Sequence, residues 1–156
     1  MGSLEKAIRD GSDYIFETTL GGETIADLLA GAASAGCKIR IFYVGLESAE
    51  KHIARVQARI ASGGHPIDED TIRRRYSSSR LHLVRLIALL DELVVFDNSH
   101  DADPTAGNGP SLKKLLVMRA GVIRDMTPEL ETSQGWAKPI LAAAMEHHAQ
   151  MTRRQV

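Results

Sequence analysis

The sequence predicts an α/β fold built on a doubly wound, mainly parallel sheet in three layers. Three observations point there. Strand-like and helix-like segments alternate three times up to about residue 99, and parallel strands joined by crossover helices are the usual outcome of that order. Two strand-like segments end in polar side chains, Glu17–Thr18–Thr19 and Asp97–Asn98–Ser99. Such a sheet collects its ligands at those C-terminal strand ends. The 156 residues, 44% of them hydrophobic, suit one domain with a sizeable core.

The elements follow in order. Ser3 can cap a short helix that runs to about Asp10, with Gly11 as its stop. "DYIFETTL", residues 13–20, has the composition of a strand. From Glu23 the apolar positions Ile25, Leu28, Leu29, Ala32 and Ala33 recur at helical spacing, and Gly36 ends the run. "KIRIFYVGL" is a second strand over 38–46. Ser48 then caps a helix with Ile53, Val56 and Ile60 on its apolar stripe and Lys51, Arg55 and Arg59 on its polar one, broken by "GGHPIDED". A further helix starts near Asp68–Glu69 and runs to Leu90, with a bend expected at Ser77–Ser79. "ELVVFDNS" is the third strand, and "HDADPTAGNGP" is a loop of turn-forming residues. "KLLVMRAGVIRDM" predicts two short strands about a turn at Ala120–Gly121, and "SQGWAKPILAAAMEHHAQMT" a last helix interrupted or started near Pro139.

Composition narrows the function classes. A net charge of −1 gives no global attraction to nucleic acid or to an anionic membrane. Apolar runs fall far short of the roughly 20 residues of a membrane helix, and the polar N-terminal stretch lacks the apolar segment of a signal peptide. The single cysteine, Cys37, excludes an internal disulfide and reads as a small buried hydrophobe, which makes the reducing cytoplasm the expected compartment. His147 and His148 are neighbours on a helix and face different ways, so no metal site is expected. Trp136 reads as a packing residue.

Three groups carry possible chemistry. Glu17 at a strand end can accept a proton from a substrate hydroxyl, and Thr18 and Thr19 can touch phosphate. Equally, the threonines can cap the next helix beside a solvated glutamate. Arg73, Arg74 and Arg75 point about 100° apart on a helix, so they cannot all meet one ligand. Two of them with Arg59 or Arg80 can fork phosphate oxygens, and Gly63–Gly64 before them allows the hinge of a closing lid. The alternative is a solvated basic face paired with Asp68, Glu69 and Asp70. Basic residues without interleaved aromatics argue against a nucleic-acid groove.

Taken together, "FETTLGG", "AGCKIRIFYVGLESAEKHIARVQARIASGGHPIDEDTIRRRY" and "ELVVFDNS" resemble the zeta-toxin-like family of P-loop kinases, in order from about residue 5 to residue 99. The resemblance implies a cytoplasmic ATP- and Mg²⁺-dependent phosphotransferase acting on a small hydroxyl-bearing substrate, such as the nucleotide sugar UDP-N-acetylglucosamine, in some members opposed by an antitoxin. By the same resemblance Glu17 and Thr19, with Thr18 between them, belong to the substrate side of the sheet. Arg74 and Arg73, supported by Arg59, belong to a lid over the ATP phosphates, and Asn98 approaches the nucleotide base. His82 stands near where many relatives carry Asn.

The family pattern opens with a strand, a phosphate loop and a helix, and no Gly-x-x-x-x-Gly-Lys-Ser/Thr occurs in this sequence. The expectation is a single domain over 1–156 that lacks this unit and is inactive alone, because phosphoryl transfer rests on positioning and charge stabilisation by it. Two explanations fit that expectation: a fragment or misassigned start of a full kinase, or completion by a second chain or self-association, since an open apolar strand edge invites pairing. The alternative is a non-catalytic oligomeric or phosphate-ligand-binding module. Residues 100–156 read as a C-terminal extension whose helix either covers a sheet face or forms a dimer contact.

Overall fold

The computed structural model describes residues 2–101 and 111–154. Two helices come first, α1 (Gly2–Asp10) and α2 (Glu23–Ser34), then strand β1 (Arg40–Gly45), helices α3 (Ala49–Ala61) and α4 (Glu69–Leu86), strands β2 (Glu92–Asp97), β3 (Lys113–Arg119) and β4 (Val122–Met126), and helix α5 (Lys138–Arg153). The chain is mixed α/β, with one four-stranded sheet in the order β1-β2-β3-β4.

Among the described residues only β1 and β2 are parallel, paired from Arg40↔Glu92 to Gly45↔Asp97. The pairs β2/β3 and β3/β4 are antiparallel. The sheet is therefore mostly antiparallel, where a mainly parallel one is expected from the alternation. Two physical causes account for the difference. A parallel return needs a crossover element, an antiparallel one does not, and the described residues between β2 and β3 hold no helix. Residues 13–20, expected to be a strand, adopt no regular structure. A strand persists only where its backbone N–H and C=O groups find a partner, and these residues have no ladder partner among the described residues.

The core lies on one face of the sheet. Period-two alternation turns Leu93 and Val95 of β2 inward, where they meet Ala26 and Leu29 of α2, Leu83 and Leu86 of α4, and Ile140 and Ala144 of α5. Burial of each leucine, isoleucine or valine side chain here contributes about 2 kcal/mol, and of each alanine methyl less than half of that. Leu20 joins that core although its φ is +51°, so residues 12–21 are anchored by their last apolar side chain. The other sheet face is less covered. Phe42 is 63% and Val44 49% exposed, and in the irregular segment Ile15 is 97% exposed.

Local rules explain the helix ends. Ser48 Oγ accepts from the Lys51 N–H at 3.1 Å and Asp68 Oδ2 from the Thr71 N–H at 2.9 Å, so both caps satisfy an otherwise unpaired donor. Helix α4 runs without interruption through Ser77–Ser79. Two of those serines make contacts: Ser78 donates to the Gly21 carbonyl at 2.8 Å, and the Ser79 hydroxyl meets Tyr43 Oη at 3.0 Å. The β3–β4 hairpin turns at Ala120 and Gly121, both at positive φ, the geometry that follows strand twist. A 3₁₀ turn over Thr132–Ala137 leads into α5, with Pro139 in its first turn. No helix of the described residues is long and apolar enough to cross a membrane. The loop expected over 100–110 falls largely outside the described residues.

Candidate functional site at the exit of the parallel pair

The C-terminal ends of β1 and β2 are tied down by α3 and α4. Arg55 donates to the Asn98 carbonyl at 2.8 Å and to Asp101 Oδ1 at 2.9 Å. Lys51, one turn earlier, bridges Glu47 at 3.2 Å and Asp101 at 3.0 Å. Hydrogen bonds from Arg55 and Lys51 hold the Asp101 carboxyl below the usual carboxylate range, and the bond to Asp101 raises the Lys51 ammonium. The pair clasps the turn after β2 to α3.

Beside it, Tyr76 of α4 donates from its hydroxyl to the carbonyls of Leu46 and Glu47 at 3.2 and 3.0 Å. The Arg80 guanidinium lies 4.1 Å from the Tyr76 ring centre, and His52 packs edge-on against the same ring. A guanidinium over an aromatic face is held by the ring quadrupole while its N–H edges stay open to other acceptors. Burial raises the Tyr76 phenol. Burial first, then the nearby Arg55 charge, lowers the His52 imidazole, so His52 favours its neutral form.

Beneath this exit lies a buried polar pair. Asp97 Oδ1 accepts from the Ser99 hydroxyl and, at 2.9 Å, from Trp136 Nε1. Asn98 Oδ1 is buried without a hydrogen-bond partner among the described residues.

The sequence-predicted site residues are only partly gathered here. Asn98 is at the exit. Arg73, Arg74 and Arg75 do diverge: Arg73 pairs with Glu50 and lies 4.0 Å from Glu69, Arg74 donates to Thr71 Oγ1 at 3.1 Å, and Arg75 packs against Gly21. The Glu50 carboxyl is lowered by its own N–H and by Arg73. Arg74 and Arg59 have no carboxylate partner among the described residues. Gly64 folds back onto Arg59, where an added Cβ would meet its carbonyl oxygen at 2.9 Å.

Glu17 is exposed and joined to none of these arginines among the described residues. The threonines do not cap α2. Thr18 Oγ1 accepts from the Leu20 N–H at 3.0 Å and Thr19 Oγ1 from the Gly21 N–H at 3.4 Å, so both close local turns. His82 is buried, with Nδ1 at 2.8 Å from the Leu20 carbonyl. A carbonyl only accepts, so Nδ1 carries the proton there, and His82 fastens the end of 13–20 to α4. Cys37 is half-buried rather than buried. Trp136 does pack, and it also donates to Asp97.

Sequence reasoning passed over the Arg55–Lys51–Asp101 clasp and the Tyr76–Arg80 stack, and named Asp97 only as part of a polar strand exit. The signal for Asp97 was present, since it is in phase with the inward Leu93 and Val95. Lys51 and Arg55 stand four apart on one helix row, but nothing in the sequence joins that row to Asp101.

No family model matches this sequence, and no solved structure matches it. One curated relative, from Haemophilus influenzae and described only as an uncharacterized protein, is 34% identical over 76 residues, which cover 49% of this chain and 54% of that protein. The matched stretch thus spans about half of each.

Proposed function

We propose that the chain is the lid-and-substrate portion of a zeta-toxin-like phosphotransferase, which transfers phosphate from ATP to a small hydroxyl-bearing substrate once a completing segment supplies the phosphate loop. In that reading the doubly wound parallel sheet forms only when a strand joins the outer edge of β1. The observation that carries it is an unfilled buried acceptor at the exit of β2, supported by arginines on α4 that bind only exposed groups. Asn98 Oδ1 is buried without a partner among the described residues, which suits an amino group of a nucleotide base. Arg74 has no carboxylate partner there, and Arg73 is held only by exposed carboxylates that phosphate can displace.

The fit to ATP is partial. Guanidinium groups suit the phosphate oxygens, but no cluster of three metal-binding side chains occurs among the described residues. No phosphoryl-transfer step is assigned to these residues alone. Arg73 and Arg74 bind and close over phosphate, Asn98 orients the base, and Glu17, with Thr18 and Thr19 beside it, faces the substrate hydroxyl. The expected compartment is the cytoplasm, and an antitoxin is an expected partner.

Calorimetric titration with Mg·ATP tests this. Weak binding is expected, lowered at least about tenfold in the Arg73→Ala/Arg74→Ala variant, because each charge-assisted contact is worth about 1.5–3 kcal/mol. A chain that takes up no nucleotide at millimolar ATP overturns the proposal. A second reading, an oligomeric interaction module, is favoured by the exposed apolar side chains Ile15, Phe42 and Val44.

A further inference from the structure

The chain holds two unpartnered halves of a β-ladder. Among the described residues β1 pairs only with β2, so its outer edge is open, and residues 13–20 have strand composition with no strand partner. We infer that these two join between molecules: residues 13–20 of one copy add to the outer edge of β1 of a second copy, and the reverse pairing closes a two-fold dimer. The inference rests on the interaction-module reading and narrows its partner to this chain itself. A completing strand would compete for the same edge, so the dimer belongs to the chain on its own.

Charge and pattern select the partner. The donor segment carries Asp13 and Glu17, the acceptor strand begins with Arg40 and is preceded by Lys38; all four are exposed and none is in an ion pair among the described residues. Period two puts Ile15 and Glu17 on one face of the segment, and Arg40, Phe42 and Val44 on one face of β1. Set antiparallel with Ile15 opposite Phe42, the register brings Glu17 opposite Arg40. One alignment then covers the most exposed apolar side chain, Ile15 at 97%, against Phe42 at 63%, and pairs the charges beside them. Such cross-strand neighbours are the unit of sheet stabilisation, and each occurs twice in a two-fold dimer.

Sedimentation velocity of the full chain over a concentration series tests the inference. A dimer is expected. Arg40→Glu should weaken it by about tenfold or more, since two like-charge contacts replace two attractive ones, and adding Glu17→Arg should restore it. A cross-link guards against variants that fail to fold. Cys37→Ser/Ile15→Cys mixed with Cys37→Ser/Phe42→Cys should form a disulfide-linked pair on mild oxidation, because directly opposed residues lie within disulfide reach. A folded chain that stays monomeric at every concentration overturns both the inference and the interaction-module reading. A dimer that ignores the charge exchange and gives no cross-link overturns this pairing and leaves the broader reading standing.

Discussion

Gly45 at the end of β1 lies against the Trp136 ring: a Cβ added there would be 2.1 Å from Cη2. The ring cannot yield freely, because its Nε1 donates to the buried Asp97 at 2.9 Å. Gly45→Ala must therefore either strain β1 or pull the donor away from a carboxylate that is only 2% exposed. We expect a loss of about 2–4 kcal/mol, read as a lower urea midpoint at unchanged slope. An unchanged midpoint would show that the ring moves at little cost. The sequence foreshadowed half of this contact. Asp97 shares the phase of Leu93 and Val95 and so points inward, and Trp136 reads as packing. That the two meet over a glycine depends on the path of α5 back across the sheet, which no local pattern carries. Asn98 attracted attention from the sequence because it belongs to a polar strand exit, yet its neighbour Asp97 holds the exit together.

At the scale of elements, caps and turns were the most legible features. Ser48 acts as the N-cap its position suggests and Asp68 caps a helix expected to start near Asp68–Glu69, whereas Ser3, expected to cap, lies inside α1, and the hairpin turns at Ala120–Gly121. These signals are local, so they survive without knowledge of the fold. Asp68→Ala should cost about 1 kcal/mol by freeing the Thr71 N–H. Thermal melts of Asp68→Ala and Asp68→Asn separate the cap from the charge: asparagine should retain most of the stability, and equal losses would point to electrostatics instead. The segment 13–20 was misread for the opposite reason. Its composition is that of a strand, but a strand is a relation between two segments. Phe16 rests on the core, Leu20 is buried, and His82 and Ser78 fasten the carbonyls of Leu20 and Gly21. The backbone between Asp13 and Thr19 has no ladder to join. Direction failed similarly: β1 and β2 are parallel as alternation implies, whereas β3 returns antiparallel because nothing in the described connection acts as a crossover.

For the whole molecule, the core sits on one sheet face, the sheet stops at β1 among the described residues, and the strand-like segment 13–20 has no ladder partner. A sheet edge with exposed Phe42 and Val44 is a template for another strand, and both the phosphotransferase reading and the dimer begin from it. The candidate site inherits that incompleteness. Lys51, Arg55, Tyr76 and Arg80 brace the exits of β1 and β2, Arg73 pairs with Glu50 on α3, and Glu17 stands apart on the segment that would have to be drawn into the sheet. Function is therefore expected to depend on what occupies the edge more than on any single side chain. The most direct measurement is amide hydrogen exchange across 12–21 and 38–46, followed as protein concentration rises from the monomeric range. An open edge predicts rapid exchange of the outward amides of β1 and of residues 13–19 in the monomer, with both stretches slowing together as molecules associate. Protection of the outer β1 amides in the monomer would contradict the account.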